Sequence, residues 1–212
     1  MTKALLLLLA ADFLETPRLG LVRAEDGSVR MIMGVAGNFL KGPQWMDGVV
    51  SVAFTGRVAM MKTDGEILVL NASGEIVRTE QAPPGPAVFS FHEDGSEAGV
   101  HFAGSGVVAA GPSSVVMRRG DELWLVEPGS DRRLEEASEP VLFLPDGRLL
   151  FRRGQDVVLR NRGGQEEQIA APLTVERLSL MGRNWVHAVA GKVHRTLRLE
   201  GDSPKWFELP RP

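Results

Sequence analysis

Residues 61–84 read MKTDGEILVLNASGEIVRTEQAPP, and the same phrase returns at 117–140 as MRRGDELWLVEPGSDRRLEEASEP and at 151–172 as FRRGQDVVLRNRGGQEEQIAAP. Each copy runs strand, glycine turn, strand, glycine turn, polar strand, proline. The apolar runs inside them, such as Glu66 to Leu70, Glu122 to Val126 and Asp156 to Leu159, are short and rich in Leu and Val, which suits a pleated, buried surface. Two further runs, Val49 to Phe54 and Val141 to Leu144, have the same character. Between the runs stand turn dipeptides of the kind that supply positive φ in tight hairpins: Asp26-Gly27, Asp64-Gly65, Ser73-Gly74, Asp94-Gly95, Asp146-Gly147 and Gly163-Gly164. Helical spacing is nearly absent past residue 17, where 24 glycines and 13 prolines in the whole chain leave few uninterrupted windows. The chain therefore reads as all-β, a series of hairpins.

Weaker copies of the first turn occur at Gly27 and Gly191, so the markers are Gly27, Gly65, Gly120, Gly154 and Gly191, separated by 38, 55, 34 and 37 residues. Five units in 212 residues give about 42 residues each, close to the period of roughly 40–45 that marks four-stranded propeller blades. The long gap holds an additional hairpin from Phe89 to Phe102. A small β-propeller of about five blades of short antiparallel strands is thus the expected architecture. The alternative is a β-sandwich, which has turns at similar spacing but no reason to repeat a three-strand phrase. The first unit has strands at Leu19–Ala24 and Ser28–Met33 and needs an inner strand, supplied by the leucine run near the start, by Lys205–Leu209, or by another segment.

The stretch LPDGRLLFRRGQDVVLRNRGG, residues 144–164, resembles the strand, Asp-Gly turn, strand pattern of β-propeller repeats in bacterial proteins. The resemblance spans Leu19 to Leu209. It lacks the Gly-His and Trp-Asp signature of WD40 blades and the paired glycines of Kelch blades, so it names no subfamily and carries no functional residue with it.

Residues 1–17 stand apart. Lys3 followed by ALLLLLAA at 4–11 has the shape of an export signal, but Asp12 and Glu15 follow at once. The segment reads either as that signal, with a periplasmic or secreted mature domain of residues 18–212, or as a leucine-rich first strand. It is too short to span a bilayer as a helix, which takes about 20 residues, so no integral membrane segment is expected. A net charge of −3 provides no field for phosphate backbones and argues against nucleic acid as a partner. The absence of cysteine removes disulfides, thiolate metal sites and thiol nucleophiles.

The polar candidates are the four histidines, His92, His101, His187 and His194. With Ala190 and Gly191 as a two-residue turn, Val189 pairs with Lys192 and His187 falls opposite His194 on one hairpin face. Two imidazoles without a matching carboxylate are too few for a transition metal, so no metal and no cofactor are expected. His92 lies beside Glu93 and Asp94, although Asp94-Gly95 is already accounted for as a turn. Ser113, Ser114 and Ser179 lie in no nucleophile elbow, and the glycines at 104, 106, 163 and 164 lack the lysine and helix of a phosphate loop. Asn71-Ala72-Ser73 fits a glycosylation sequon that a hairpin turn explains equally well. The arginine pairs at 118–119, 132–133 and 152–153 interleave with acids and read as cross-strand ion pairs, and Trp45, Trp124, Trp185 and Trp206 as packing residues. Two functional readings follow. One is a non-catalytic binding or scaffolding module that uses loops and a channel mouth for a protein or small ligand. The other is a lyase or hydrolase whose histidines gather from several blades.

Overall fold

A computed structural model of the chain describes residues 18–102, 104–200 and 203–210. Every regular element among them is a β-strand, and within each sheet the strands pair antiparallel in sequence order. The first sheet has three strands, β1 (Arg18–Arg23), β2 (Val29–Val35) and β3 (Asn38–Met46). Four sheets have four strands each. These are β4 (Ser51–Phe54), β5 (Val58–Lys62), β6 (Glu66–Asn71) and β7 (Ile76–Gln81), then, after a two-stranded ribbon of β8 (Ala87–Phe91) and β9 (Glu97–Phe102), β10 (Val107–Ala110), β11 (Val115–Arg119), β12 (Glu122–Glu127) and β13 (Ser130–Arg133). The fourth comprises β14 (Ala137–Phe143), β15 (Leu149–Arg153), β16 (Asp156–Arg160) and β17 (Glu166–Ile169), and the fifth β18 (Arg177–Gly182), β19 (Trp185–Ala190), β20 (Val193–Arg198) and β21 (Lys205–Glu208). Together they form a five-bladed β-propeller whose blades are the four four-stranded sheets and the ribbon, the hairpin expected in the long gap, while the three-stranded sheet packs beside the ring.

Burial explains why the repeated phrase has its shape. The two middle strands of a blade are covered on both faces by adjoining sheets, so β5, β6, β16 and β19 bury almost every side chain and read as continuous apolar runs. The outermost strand β7 is exposed along its length and carries Arg78 and Glu80, charges that discourage pairing with another chain. The largest core cluster crosses from blade to blade through Met60, Val69, Leu150, Val157, Leu180 and Leu197.

Five strands, β4, β8, β10, β14 and β18, form the inner ring, each touching the next and β18 touching β4. The three-stranded first sheet, expected from the Gly27 marker to be a blade, contributes no strand to this ring and packs against it instead. Gly20 of β1 backs onto Met181 near the end of β18, while Arg23 at the end of β1 lies with Arg177 at the start of β18. The strand β1 therefore runs antiparallel to β18 and stands in the seam where β18 meets β4, in contact with both. It needs no borrowed inner strand. Lys205–Leu209, a candidate for that role in the sequence, instead supplies β21, the outer strand of the last blade. The leucine run lies outside the described residues.

The markers Gly65, Gly120, Gly154 and Gly191 occupy equivalent turns between the second and third strands of their blades. Gly27 does not belong to that set: it sits between β1 and β2 in a five-residue turn shared with Gly95 and Gly147, in which Asp26, Asp94 or Asp146 accepts the N–H two residues on at 2.8, 2.8 and 3.0 Å. All three glycines have φ near +80°. Of the six turn dipeptides, Asp64-Gly65 departs from expectation, because Gly65 is not in the left-handed region. Lys62, fully buried, donates to the carbonyls of Thr63 and Asp64 and holds that turn in a different form.

Candidate functional site

The ring strands enclose an axial cavity of about 400 Å³ at the end where they begin. Its apolar wall takes Val52 from β4, Val88 from β8, Val108 from β10, Leu142 from β14 and Leu178 from β18. Polar groups at the mouth are Arg23, Ser51, Glu139, Glu176, Arg177 and Ser179. A site of this kind leaves no local motif, because each strand contributes one or two residues.

Arg23 and Arg177 are both half-buried, and neither has an ion-pair partner among the described residues. Arg23 Nε donates to the Val49 carbonyl, whereas Arg177 Nη2 is buried without a hydrogen-bond partner. Burial first, and then the charge of Arg23, lowers the pKa of Arg177 from its ordinary value, partly offset by Glu25 and Glu176. Glu139 is engaged by Arg118 of the third blade, whose Nε donates to it at 2.7 Å. Glu176 is exposed and accepts the Gly191 N–H at 3.0 Å.

Behind this mouth lie two of the predicted histidines. His187 and His194 are 1% and 6% exposed. Their register differs from the sequence expectation: the turn is centred on Gly191 and Lys192, so Val189 faces His194 and His187 faces Thr196. The imidazoles are diagonal neighbours on one face, and His187 Nε2 lies 2.9 Å from His194 Nδ1. His187 Nδ1 is 3.5 Å from Ser179 Oγ on the adjoining strand. Burial, the His194 ring and Arg177 push His187 down to about 3, and burial lowers His194 as well. Both rings are therefore neutral near pH 7, and one must donate its N–H to the other.

His92 and His101 are elsewhere. His101 is on the ribbon opposite Val88, half-buried. His92 is exposed beyond β8 and lines a second cleft of about 540 Å³, with Ser113, Ser114, Arg132, Arg160 and Arg162, at the opposite end of the ring. Its neighbouring acids serve arginines rather than the imidazole: Glu93 pairs with Arg162 at 2.9 Å and Asp94 with Arg57 at 2.6 Å. Hydrogen bonds from Ser96 hold the Asp94 carboxyl below the usual carboxylate range. The histidines thus do not gather at one mouth, and none lines the axial cavity. Among the described residues no three His, Asp or Glu side chains converge as a metal would require, and no helix is long and apolar enough to cross a membrane.

The arginine-rich segment forms the expected ion pairs, among them Arg119–Asp131, Arg133–Glu122 and Arg160–Glu166, at 2.6 to 2.8 Å. The four tryptophans are half-buried at blade margins, with Trp185 packed edge-on to Phe39 and Trp206 donating to the Ala170 carbonyl at 3.0 Å. The sequence reading missed Arg23, Glu139, Glu176 and Arg177, since nothing but their place at the inner strands' ends marks them.

No family model and no curated protein matches the chain. Among solved structures, it is similar to a functionally unknown protein from Desulfotomaculum acetoxidans (10% identity, 90% of this chain and 78% of that one, TM-score 0.49). It is also similar to virginiamycin B lyase from Staphylococcus aureus (13%, 93% and 71%, TM-score 0.37) and to the WD40 domain of SCAP from fission yeast (10%, 93% and 53%, TM-score 0.35). These structures include a lyase, a WD40 domain and a protein without known function, and no residue or activity is carried over from them.

Proposed function

We propose that the chain is a non-catalytic binding module that takes a small ligand in the axial cavity, with the surrounding loops available to a protein partner. The observation that carries this reading is the cavity itself: five ring strands line it, its volume falls within the range of about 300–1,000 Å³ typical of ligand sites, and it combines an apolar wall with a few polar groups at one mouth. Nucleic acid has no part in it, since the chain is net acidic.

The enzyme reading draws on one observation, the line from Ser179 at the cavity wall through His187 to His194. A base that activates serine needs a pKa near the working pH. With His187 held near 3, its affinity for a proton is several powers of ten too low, and the 3.5 Å contact to Ser179 is at the limit of a hydrogen bond. The line is better suited to packing behind the cavity wall than to lyase or hydrolase chemistry.

Val88→Trp fills the cavity from a half-buried wall position. Protein incubated with a small-molecule extract of its host cells, repurified and examined by mass spectrometry is expected to retain a compound that Val88→Trp of equal thermal stability does not. No retained compound, or equal retention by both, contradicts the reading. The mature domain is placed in the periplasm or outside the cell on the leucine run alone; intact mass of protein from its host should lack about the first 11 to 17 residues.

A further inference from the structure

We infer that the ligand of the axial cavity is an amphiphilic anion, with a carboxylate or phosphate head held by Arg23 and Arg177 and an apolar body against the ring strands. This rests on the binding reading above and names the ligand's class. Two guanidinium groups line one half-enclosed site, and neither forms an ion pair among the described residues. Like charges in a poorly solvated place repel unless an anion joins them, and guanidinium presents a planar fork that fits carboxylate and phosphate oxygens. The buried Nη2 of Arg177, lacking an acceptor, is the kind of orphan donor that a ligand oxygen satisfies.

The nearby acids do not fill that role. Glu139 is taken up by Arg118, and Glu25 and Glu176 are exposed, where water screens them. Deeper in, Val52, Val88, Val108, Leu142 and Leu178 offer no hydrogen bonds, so the rest of the ligand must be apolar. The cavity's 400 Å³ limits it to a small molecule. The second cleft does not present two such groups, because Arg160 and Arg162 are already paired with Glu166 and Glu93, which leaves Arg132 alone of its arginines without an ion pair among the described residues.

Calorimetric titration with hexanoate, hexyl phosphate, hexanol and hexylammonium tests the inference. Ligands this small bind with Kd about 1 mM. Hexanoate, hexyl phosphate or both should bind at least tenfold more tightly than hexanol and hexylammonium, and whichever anion binds more tightly identifies the head group. Arg177→Gln, and independently Arg23→Gln, should weaken the anion about tenfold with Tm little changed. Hexanol binding as well as the anions, with both variants unaffected, overturns the anionic class while leaving the cavity as the site. Absence of binding by all four probes, with Val88→Trp retaining the same host compounds as the native protein, overturns the binding reading as well.

Discussion

His187 Nε2 and His194 Nδ1 lie 2.9 Å apart across a strand pair whose register sets them two residues out of alignment. Buried and neutral, each ring depends on the other for one hydrogen bond. His194→Ala leaves His187 Nε2 without a partner, and a buried unsatisfied group costs about 1–3 kcal/mol. Urea unfolding at pH 7 should register that loss, and His194→Gln should recover part of it.

The same pair sets a pH dependence. The folded pKa of His187, about 3, is below the unfolded value of 6.5, so between those limits the unfolded chain binds more protons. Stability is full above about pH 6.5, falls as pH drops through the window, and levels off below about pH 3 with respect to this group. His187→Asn should flatten the slope of unfolding free energy between pH 6.5 and 4; an unchanged slope would show that other groups produce it.

Turn conformation gives a paired comparison. Gly154 has φ +61°, whereas Gly65, in the equivalent turn of another blade, does not adopt positive φ, and both have open space where a Cβ would go. Gly154→Ala should cost about 1–2 kcal/mol and Gly65→Ala less than about 0.5 kcal/mol, measured by chemical denaturation.

The seam between the first sheet and the last blade supplies a steric test. A Cβ on Gly20 would lie 1.5 Å from the Met181 carbonyl oxygen, and one on Gly182 2.5 Å from that of Leu19. Neither backbone can yield without moving a strand. Gly20→Ala should destabilise the protein by about 3 kcal/mol or more, far beyond the effect of Gly65→Ala.

Hairpins and blades were legible because burial on both faces writes itself into local sequence. EILVL and DVVL read as buried strands, and they are the third strands of their blades, with the polar segments after them on the outside. The inverted first sheet was not legible, since Gly27 carries the same Asp-Gly dipeptide whichever way its hairpin points. Its direction is decided by the close approach of Gly20 to Met181, a contact between residues 161 positions apart. The histidine pair was legible in outline, as alternation puts both rings on one face, but a one-residue difference in the turn changed its register. Arg23 and Arg177 carry no pattern at all. Their proximity follows from the direction of β1, and a reading that leaves that strand unplaced cannot bring them together.

The cavity ringed by β4, β8, β10, β14 and β18 is the proposed ligand site. Backbone amide shifts of the labelled protein, followed by NMR during a hexanoate titration, test it most directly. Saturable shifts are expected at Ser51, Val88, Ala110, Val141 and Ser179, one from each ring strand, at one common Kd. Shifts confined to the cleft around Arg132 and Arg160, or to a single blade's outer strand, would contradict it.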